Sequence, residues 1–274
     1  MKDLYTPDNL LDRLSDPDTL QVHYHHLQDR ERELLARRLP LGGGDVLSVG
    51  CGPNPGRHLF PAPEFRLTGA DVDPDYVEQA RAQADEVLVG AAGSLPLEDA
   101  SFDVVLHRLV LHHVAYQGPL GPVFDEAARL LRPGGAMVAI EPGLWHPVGA
   151  ALALANRSGA LATRIHGSPD DIPLSPRALA REARAAGLEP ELHALTYTWR
   201  RMPPALQRVL QPLDGLVGSR PRAALLGHHL LLIARKPGEA RGDAQSGATA
   251  RSGATARSGG AGPARTPSAT RTRF

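Results

Sequence analysis

A short apolar strand that ends in glycine, VLSVGCG at residues 46–52, constrains the fold of this chain more than any other feature. Gly50 allows a tight turn at the strand end, and Gly52 lacks a Cβ, so a ligand can approach the backbone. The residues that follow predict a loop opening into a helix, whose free amides would favour an anionic group such as a carboxylate. Taken alone, the glycine pair also fits an ordinary strand-to-helix turn.

An acidic residue at the end of the next strand strengthens the ligand interpretation. Asp71, in TGADVDP, follows Gly50 by 21 residues, and an acid at this spacing can accept both hydroxyls of a ribose. Asp73 precedes Pro74 and is the better helix cap, so we expect Asp71 to be free for a ligand. These features fit a dinucleotide or another adenosine-containing cofactor.

The rest of the chain alternates short apolar runs with helical patterns, which predicts an α/β fold. We expect a Rossmann-like, doubly wound sheet that is mostly parallel, with an antiparallel last strand and helices on both faces. Helices are predicted over about 20–39, 75–84, 124–131 and 174–187. Strands are predicted over 45–50, 65–72, 86–91, 102–109, 136–142, 191–199 and 228–236.

Composition predicts one domain followed by a tail. Residues 238–274 repeat SGATAR and hold almost no large apolar residues, so we expect a disordered, low-complexity segment. Residues 1–237 form the predicted domain, with 1–40 as an N-terminal helical lid and 143–173 as a variable segment on the acceptor side. Thirty basic residues balance thirty acidic ones, which argues against a nucleic-acid partner.

Cysteine usage and apolar run lengths indicate the compartment. Cys51 is the single cysteine, which excludes an intrachain disulfide and a cysteine-rich zinc site. The first residues lack the apolar region of a secretory signal, and the apolar runs are shorter than the roughly 20 residues of a spanning helix. We therefore expect a soluble, cytoplasmic protein without a membrane partner.

Taken together, the motifs resemble the class I S-adenosylmethionine-dependent methyltransferases, in particular the small-molecule branch with an LHHV segment. The resemblance covers about residues 40–237 and implies methyl transfer from S-adenosyl-L-methionine to a small organic acceptor by in-line displacement. Whether O, N or C is methylated stays open. The motifs, in chain order, are VLSVGCG, TGADVDP, GSLPLEDASFDVV, LVLHHV, LRPGGAMVAIEPG and SPRALAREARAAG…LLLIARK.

The resemblance also implies a set of cofactor contacts. They are Ser48, Gly50, Cys51 and Gly52 at the methionine part, Asp71 at the ribose, Val72 and Ala92 at the adenine, and His107 beside the amino group. Many family members carry an acid where this chain has Ser48 and another where it has Ala91, so two charged contacts are missing. A non-catalytic cofactor-binding domain is therefore one alternative.

An NAD-dependent oxidoreductase is the other alternative, because it would share the turn and Asp71. It expects GxGxxG, however, whereas the glycines here are Gly50, Gly52 and Gly56. A Tyr-Lys pair is also not recognisable, because neither lysine lies in the middle of the domain.

The acceptor side is predicted from four residues, and no catalytic residue is assigned. His112 and His113 follow the fourth strand, where the family's acceptor pocket opens, although they could instead only pack at a helix start. Tyr24 and Trp145 could stack on an apolar acceptor or simply cover the core. We predict no metal site, because adjacent histidines point apart on a strand or helix.

Overall fold

The computed structural model describes residues 17–166 and 172–238. The chain divides into two units, 1–239 and 240–274, and every described residue lies in the first. The prediction of a disordered tail therefore falls outside the described residues, apart from Gly238. The first sixteen residues of the predicted lid fall outside them as well.

The described residues form a seven-stranded sheet in the order β3-β2-β1-β4-β5-β7-β6. Neighbouring strands are parallel except β7, which is antiparallel to both β5 and β6. The predicted Rossmann-like class and its antiparallel last strand are confirmed. The strands are β1 Gly44–Val49, β2 Phe65–Asp71, β3 Glu86–Val89, β4 Phe102–Arg108, β5 Leu131–Pro142, β6 Glu189–Thr196 and β7 His229–Arg235.

Within the described residues, all four predicted helices are present with shifted ends, together with five that the sequence patterns did not reveal. The five are short or lie in the segments around 143–173 and 199–226, where apolar spacing is irregular. The helices are α1 Pro17–Arg38, α2 Pro74–Ala80, α3 Leu111–Gln117, α4 Gly121–Leu130, α5 Pro147–Ala155, α6 Gly159–His166, α7 Pro176–Ala185, α8 Pro204–Val217 and α9 Pro221–Ala224.

Both faces of the sheet are covered, which explains its continuous apolar strands. Side chains alternate between the faces along each strand. Leu47 and Val49 of β1 belong to the core that includes α4 and α7, whereas Val46 belongs to the core that includes α1. Glu31 of α1, fully buried, accepts hydrogen bonds from Arg108 of β4 at 3.1 and 3.2 Å. This ion pair fixes α1 near the end of β4.

The helix predicted directly after the Gly50–Gly52 turn does not form, so that prediction is wrong. Residues 53–64 make turns and irregular structure, and Pro61 and Pro63 would lie in the interior of a helix here, where proline is disfavoured. Arg57 holds these turns instead, donating to Phe65 O at 3.0 Å and to Asp85 Oδ2 at 2.6 Å. The predicted anion site of helix amides is therefore missing from this part of the described chain.

None of the helices within residues 17–166 and 172–238 combines the length and the apolar character that crossing a membrane requires.

Candidate cofactor and acceptor site

Gly50 and Gly52 form the turn at the carboxyl end of β1, and both have positive φ, +61° and +51°. A Cβ on Gly50 would lie 2.2 Å from Val110 Cγ2, whereas a Cβ on Gly52 would meet nothing within 4 Å. Gly50 is therefore required by packing against the residue before α3. Gly52 faces open space, as expected where a ligand approaches the backbone.

Asp71 ties this turn to the end of β2. Its Oδ2 accepts a hydrogen bond from Gly52 N at 2.8 Å, and its Oδ1 accepts one from Asp73 N at 3.0 Å. Asp71 is therefore not the cap of α2, but two backbone amides already bind its carboxylate. Each carboxylate oxygen keeps a further acceptor position. Asp73 caps α2 as predicted, accepting from Asp75 N at 2.9 Å.

The other residues predicted at the methionine part are buried. Ser48 lies inside β1 between Gly69 and Leu106 of the neighbouring strands. Cys51 N donates to Ala70 O at 3.1 Å. Burial, with the charge of Asp71, raises the pKa of the Cys51 thiol to about 12, so the thiol stays protonated.

The residues predicted at the adenine lie in more open positions. Val72 is 72% exposed, directly beside Asp71. Ala92 is half-buried in the loop after β3, where Ala91 and Ser94 form an isolated bridge. Ala91, where many family members carry an acid, therefore lies in a short, defined turn.

His107 lies opposite Val49 in the sheet and is almost fully buried. Neither of its ring nitrogens has a hydrogen-bond partner among the described residues. Burial lowers the pKa of His107 to about 3, so the ring is neutral. Because Val49 directly precedes Gly50, His107 lies on the strand next to the glycine turn.

Glu141, at the end of β5, is a site residue that sequence analysis missed. It is fully buried and accepts hydrogen bonds from Val110 N at 3.0 Å and Leu111 N at 2.7 Å, at the start of α3. The available signal was an acid inside the apolar run AMVAIEP. Glu141 therefore anchors α3 through Val110, the residue that packs on Gly50.

The same carboxylate orients His112. The distance from His112 Nδ1 to Glu141 Oε2 is 2.7 Å, and both residues are buried. Because a carboxylate only accepts hydrogen bonds, His112 Nδ1–H is the donor. This bond fixes the ring tautomer, with the hydrogen on Nδ1. Leu109, just before α3, has φ +58°, a conformation that a non-glycine residue rarely adopts.

Tyr24 and Trp145 each contact an arginine in the structure. Tyr24 OH accepts a hydrogen bond from Arg200 Nη1 at 3.2 Å. The Arg177 guanidinium of α7 lies 4.7 Å from the centre of the Trp145 ring, so one face of that indole is covered. These contacts leave the predicted stacking roles as predictions.

Sequence analysis also missed a cluster of four histidines, in which His229 is half-buried and the other three are buried, His23, His146 and His228. Its neighbouring rings have centroids 4.6 to 6.2 Å apart. Burial is the main cause that lowers the pKa of His23 to about 4 and the pKa values of His228 and His229 well below 6.5. The cluster is therefore neutral near pH 7.

The argument that adjacent histidines point apart was wrong for two pairs. The rings of His112 and His113 are 4.1 Å apart, and those of His228 and His229 are 4.6 Å apart. Each pair lies where a helix or strand begins, so regular side-chain alternation does not apply. Across the described ranges, no group of three or more His, Cys, Asp or Glu residues could hold a metal ion.

With this geometry established, the chain can be compared with known proteins. Residues 47–139 match the family model described as a methyltransferase domain. A probable S-adenosylmethionine-dependent methyltransferase of Mycolicibacterium smegmatis is 36% identical over 117 residues, covering 41% of this chain and 44% of that protein. The 27-O-demethylrifamycin SV methyltransferase of Amycolatopsis mediterranei is 37% identical over 129 residues, covering 43% and 45%.

A further relative and a solved structure extend the comparison. The probable tRNA methyltransferase 9B of Bos taurus is 31% identical over 109 residues, covering 40% of this chain and 23% of that protein. The geranyl diphosphate C-methyltransferase of Streptomyces coelicolor A3(2) superposes with a TM-score of 0.53 at 18% identity, covering 81% of this chain and 86% of that one. This last likeness shows the fold alone.

The chain thus carries a methyltransferase domain of the class I, S-adenosylmethionine-dependent type, and the predicted family is confirmed. The chain spans less than half the length of these three relatives.

The turn fits the cofactor of this class. Gly52 leaves open space at its Cβ position, and the carboxylate of Asp71 keeps acceptor positions beside exposed Val72. A ribose and an adenine require such an acceptor next to an accessible apolar side chain.

Proposed function

We propose that this chain is an S-adenosylmethionine-dependent methyltransferase whose acceptor is a small organic molecule that loses a proton as it is methylated. The observation that carries the proposal is the buried Glu141–His112 pair, with 2.7 Å between Oε2 and Nδ1. The pair lies beside the Gly50 turn because Val110 contacts that turn and its amide binds Glu141.

The proposed cofactor contacts are those that the sequence predicted. The methionine part would be lined by Gly50, Cys51 and Gly52, together with Ser48 and His107. Asp71 would bind the ribose, and Val72 and Ala92 would flank the adenine. When bound, S-adenosylmethionine supplies a methyl group already activated on a sulfonium, so alignment is the protein's main task. The carboxylate of Asp71, fixed by two amides, brings a rigid acceptor to that task.

His112 is the proposed general base, and Glu141 is its positioning residue. A hydroxyl or phenol must lose a proton when it is methylated, and a side chain that accepts that proton accelerates the reaction. Glu141 would stabilise the imidazolium that His112 becomes, as the carboxylate does in other carboxylate–histidine pairs. His113, with its ring 4.1 Å from His112, would line the same wall.

A small acceptor is favoured over RNA by charge. Residues 1–237 carry 24 basic and 28 acidic residues, whereas nucleic-acid binding needs a basic surface around the site. Relatives of both kinds exist, since the similar proteins include a rifamycin and a tRNA methyltransferase by name. Tyr24 and Trp145 remain the proposed acceptor walls.

The domain limits are part of the proposal. Residues 1–237 would act as one domain, with residues 1–40 as the lid and 143–173 on the acceptor side. Residues 238–274 would be dispensable, so a chain ending at Pro237 should keep its activity.

The dinucleotide alternative loses its main support. It needs a helix N-terminus after the glycine turn to bind pyrophosphate, and residues 53–64 form turns instead. The non-catalytic alternative rests on Ser48 and Ala91. It predicts cofactor binding without methyl transfer.

The test is transfer of a labelled methyl group from S-adenosylmethionine to a panel of phenols, alcohols and amines, with bulk transfer RNA as a parallel acceptor. We expect a phenol or alcohol to be methylated. His112→Gln should lower kcat about 10²- to 10⁴-fold with little change in KM for the cofactor. Exposed His25 on α1 gives the matched control, His25→Gln.

Glu141→Gln separates positioning from folding, because the amide oxygen can still accept from Val110 and Leu111 while the charge is lost. We expect a lower kcat with the pH profile displaced to lower pH, since the imidazolium loses its counter-charge. Methylation of transfer RNA alone would contradict a small acceptor. Equal activity of His112→Gln and the parent protein would contradict the assigned base.

A further inference from the structure

In helix α8 the buried face is polar and the apolar face is exposed, which is the reverse of the usual pattern in a globular domain. Its buried residues are polar, Gln207 and Asp214. Four of its exposed residues are large and apolar, and they follow a spacing of three, four and three residues that places them on one face. They are Leu206, Val209, Leu213 and Leu216, exposed by 45, 72, 46 and 69%.

Specific hydrogen bonds fix this orientation. Asp214 Oδ1 accepts from Tyr197 N at 2.9 Å, and His26 Nε2 lies 2.7 Å from its Oδ2. Gln207 Nε2 donates to Met202 O at 2.8 Å. If the helix turned to bury its leucines, these polar groups would lose their hydrogen-bond partners. The cost of that loss is rarely offset by burying apolar side chains. The apolar face is therefore exposed as a consequence of paired polar contacts.

Charge is concentrated in the same part of the chain. Residues 199–226 contain five arginines and one acidic residue, the buried Asp214, whereas the remainder of residues 1–237 contains 19 basic and 27 acidic residues. Arg208 of α8 is exposed, as are Arg220 and Arg222 beside and within α9. An anionic partner is thus favoured at this surface and disfavoured over the rest of the domain.

We propose that α8 and α9 bind the surface of an anionic lipid membrane. The four apolar residues of α8 would enter the boundary between headgroups and acyl chains, and the three arginines would contact lipid phosphates. The prediction of no membrane partner rested on the length needed to span a bilayer, and a helix lying on the surface needs no such length. Asp214, bound to His26, joins this surface to α1, the proposed lid.

Two other occupants fit the surface less well. A second copy docked face to face would bring the three exposed arginines of each chain against their own counterparts. A nucleic acid is bound by stacking aromatics and polar side chains, whereas this stripe is aliphatic. A fluid membrane with anionic headgroups matches both the leucines and the arginines.

The test is sedimentation of the full chain with vesicles of phosphatidylcholine alone and of equal parts phosphatidylcholine and phosphatidylglycerol. We expect binding to the anionic vesicles that weakens as salt rises. The triple variant Val209→Ser, Leu213→Ser and Leu216→Ser should bind about tenfold more weakly or worse. Exposed Tyr116 on α3 gives the matched control, Tyr116→Ser, which should bind normally.

A charge variant tests the arginines separately. Arg208→Gln, Arg220→Gln and Arg222→Gln together should weaken binding about tenfold or more, and Arg66→Gln with Arg81→Gln, near the opposite edge of the sheet, should not. All variants keep the six arginines of residues 238–274, so any binding by that segment is a constant background.

Several results would overturn the proposal. They are failure to bind either vesicle, binding that the α8 serines leave unchanged, and binding to bulk transfer RNA in place of vesicles. A solution dimer that the serines dissociate would assign the face to a second copy. A melting temperature lowered by several degrees in the serine variant would show that the chain itself already covers the face.

Discussion

The glycine turn and the histidine cluster both lie at the carboxyl end of the parallel strands. They differ in how their buried polar atoms are hydrogen-bonded. At the turn, the carboxylate of Asp71 accepts hydrogen bonds from two backbone amides, and that of Glu141 accepts from three. In the cluster, His23 has two ring nitrogens, and His228 and His229 one each, that lack partners within the described residues. Hydrogen bonds therefore hold the turn, whereas the rings of the cluster are packed together in their neutral form.

We call the region around the glycine turn the rigid half and the region around the histidine cluster the pH-sensitive half. Carboxylates that accept two or three backbone amides are held in a fixed geometry by those hydrogen bonds. Buried imidazoles without counter-charges resist protonation, so acid favours any state that exposes them. The proposed cofactor site should therefore depend on packing, and the region under α1 should depend on pH.

The largest effect is expected from Gly50→Ala in the rigid half. Its new Cβ would overlap Val110 at a positive φ, which should cost about 3–5 kcal/mol of unfolding free energy. Gly52→Ala, at a similar φ but facing open space, should cost only about 1–2 kcal/mol. Urea unfolding measures both. Equal losses would show that Val110 does not determine the turn, and Gly50→Ala with Val110→Ala should recover part of the stability.

Asp71→Ala should weaken binding of S-adenosylhomocysteine by about 2–4 kcal/mol, because it removes a charged acceptor and releases the amide of Gly52. Asp73→Ala should instead lose a helix cap, about 1 kcal/mol of stability, with binding nearly unchanged. Calorimetric titration of both variants makes the comparison. If the two substitutions weakened binding equally, the ribose contact would not be Asp71.

Acid should destabilise the fold through the cluster. The folded pKa of His23, about 4, lies below its unfolded value near 6.5, so its contribution is full above pH 6.5 and is lost as pH falls towards 4. Between pH 7 and pH 5 the loss for this residue is about 2 kcal/mol. His23→Phe should reduce the pH dependence of urea unfolding, while exposed His25→Phe should not. An unchanged slope in His23→Phe would contradict a neutral, buried His23.

The turn could be predicted because its information is local. Gly50, Gly52 and Asp71 lie at strand ends that the sequence marks by apolar runs and glycine. The helix predicted after the turn does not form, because the prolines of residues 53–63 and the contacts of Arg57 hold the segment in turns. The role of Glu141 depends on α3 lying over β5, which is a contact between residues thirty positions apart.

The pH-sensitive half was harder to predict for a physical reason. His23 and His229 meet only when α1 packs on β7, and neither local sequence carries a pattern that indicates the contact. Helix α8 escaped detection because its buried face is polar, which defeats any search for an apolar stripe facing the core. Long-range polar pairs such as His26–Asp214 decide its orientation.

The most direct test of the central claim is calorimetric titration of the full chain with S-adenosylhomocysteine and, separately, with NAD. A class I methyltransferase site at the Gly50 turn predicts saturable binding of S-adenosylhomocysteine, at least about tenfold tighter than any binding of NAD, because residues 53–64 offer no helix N-terminus to a pyrophosphate. Tighter binding of NAD, or S-adenosylhomocysteine binding that Asp71→Ala leaves unchanged, would contradict the account.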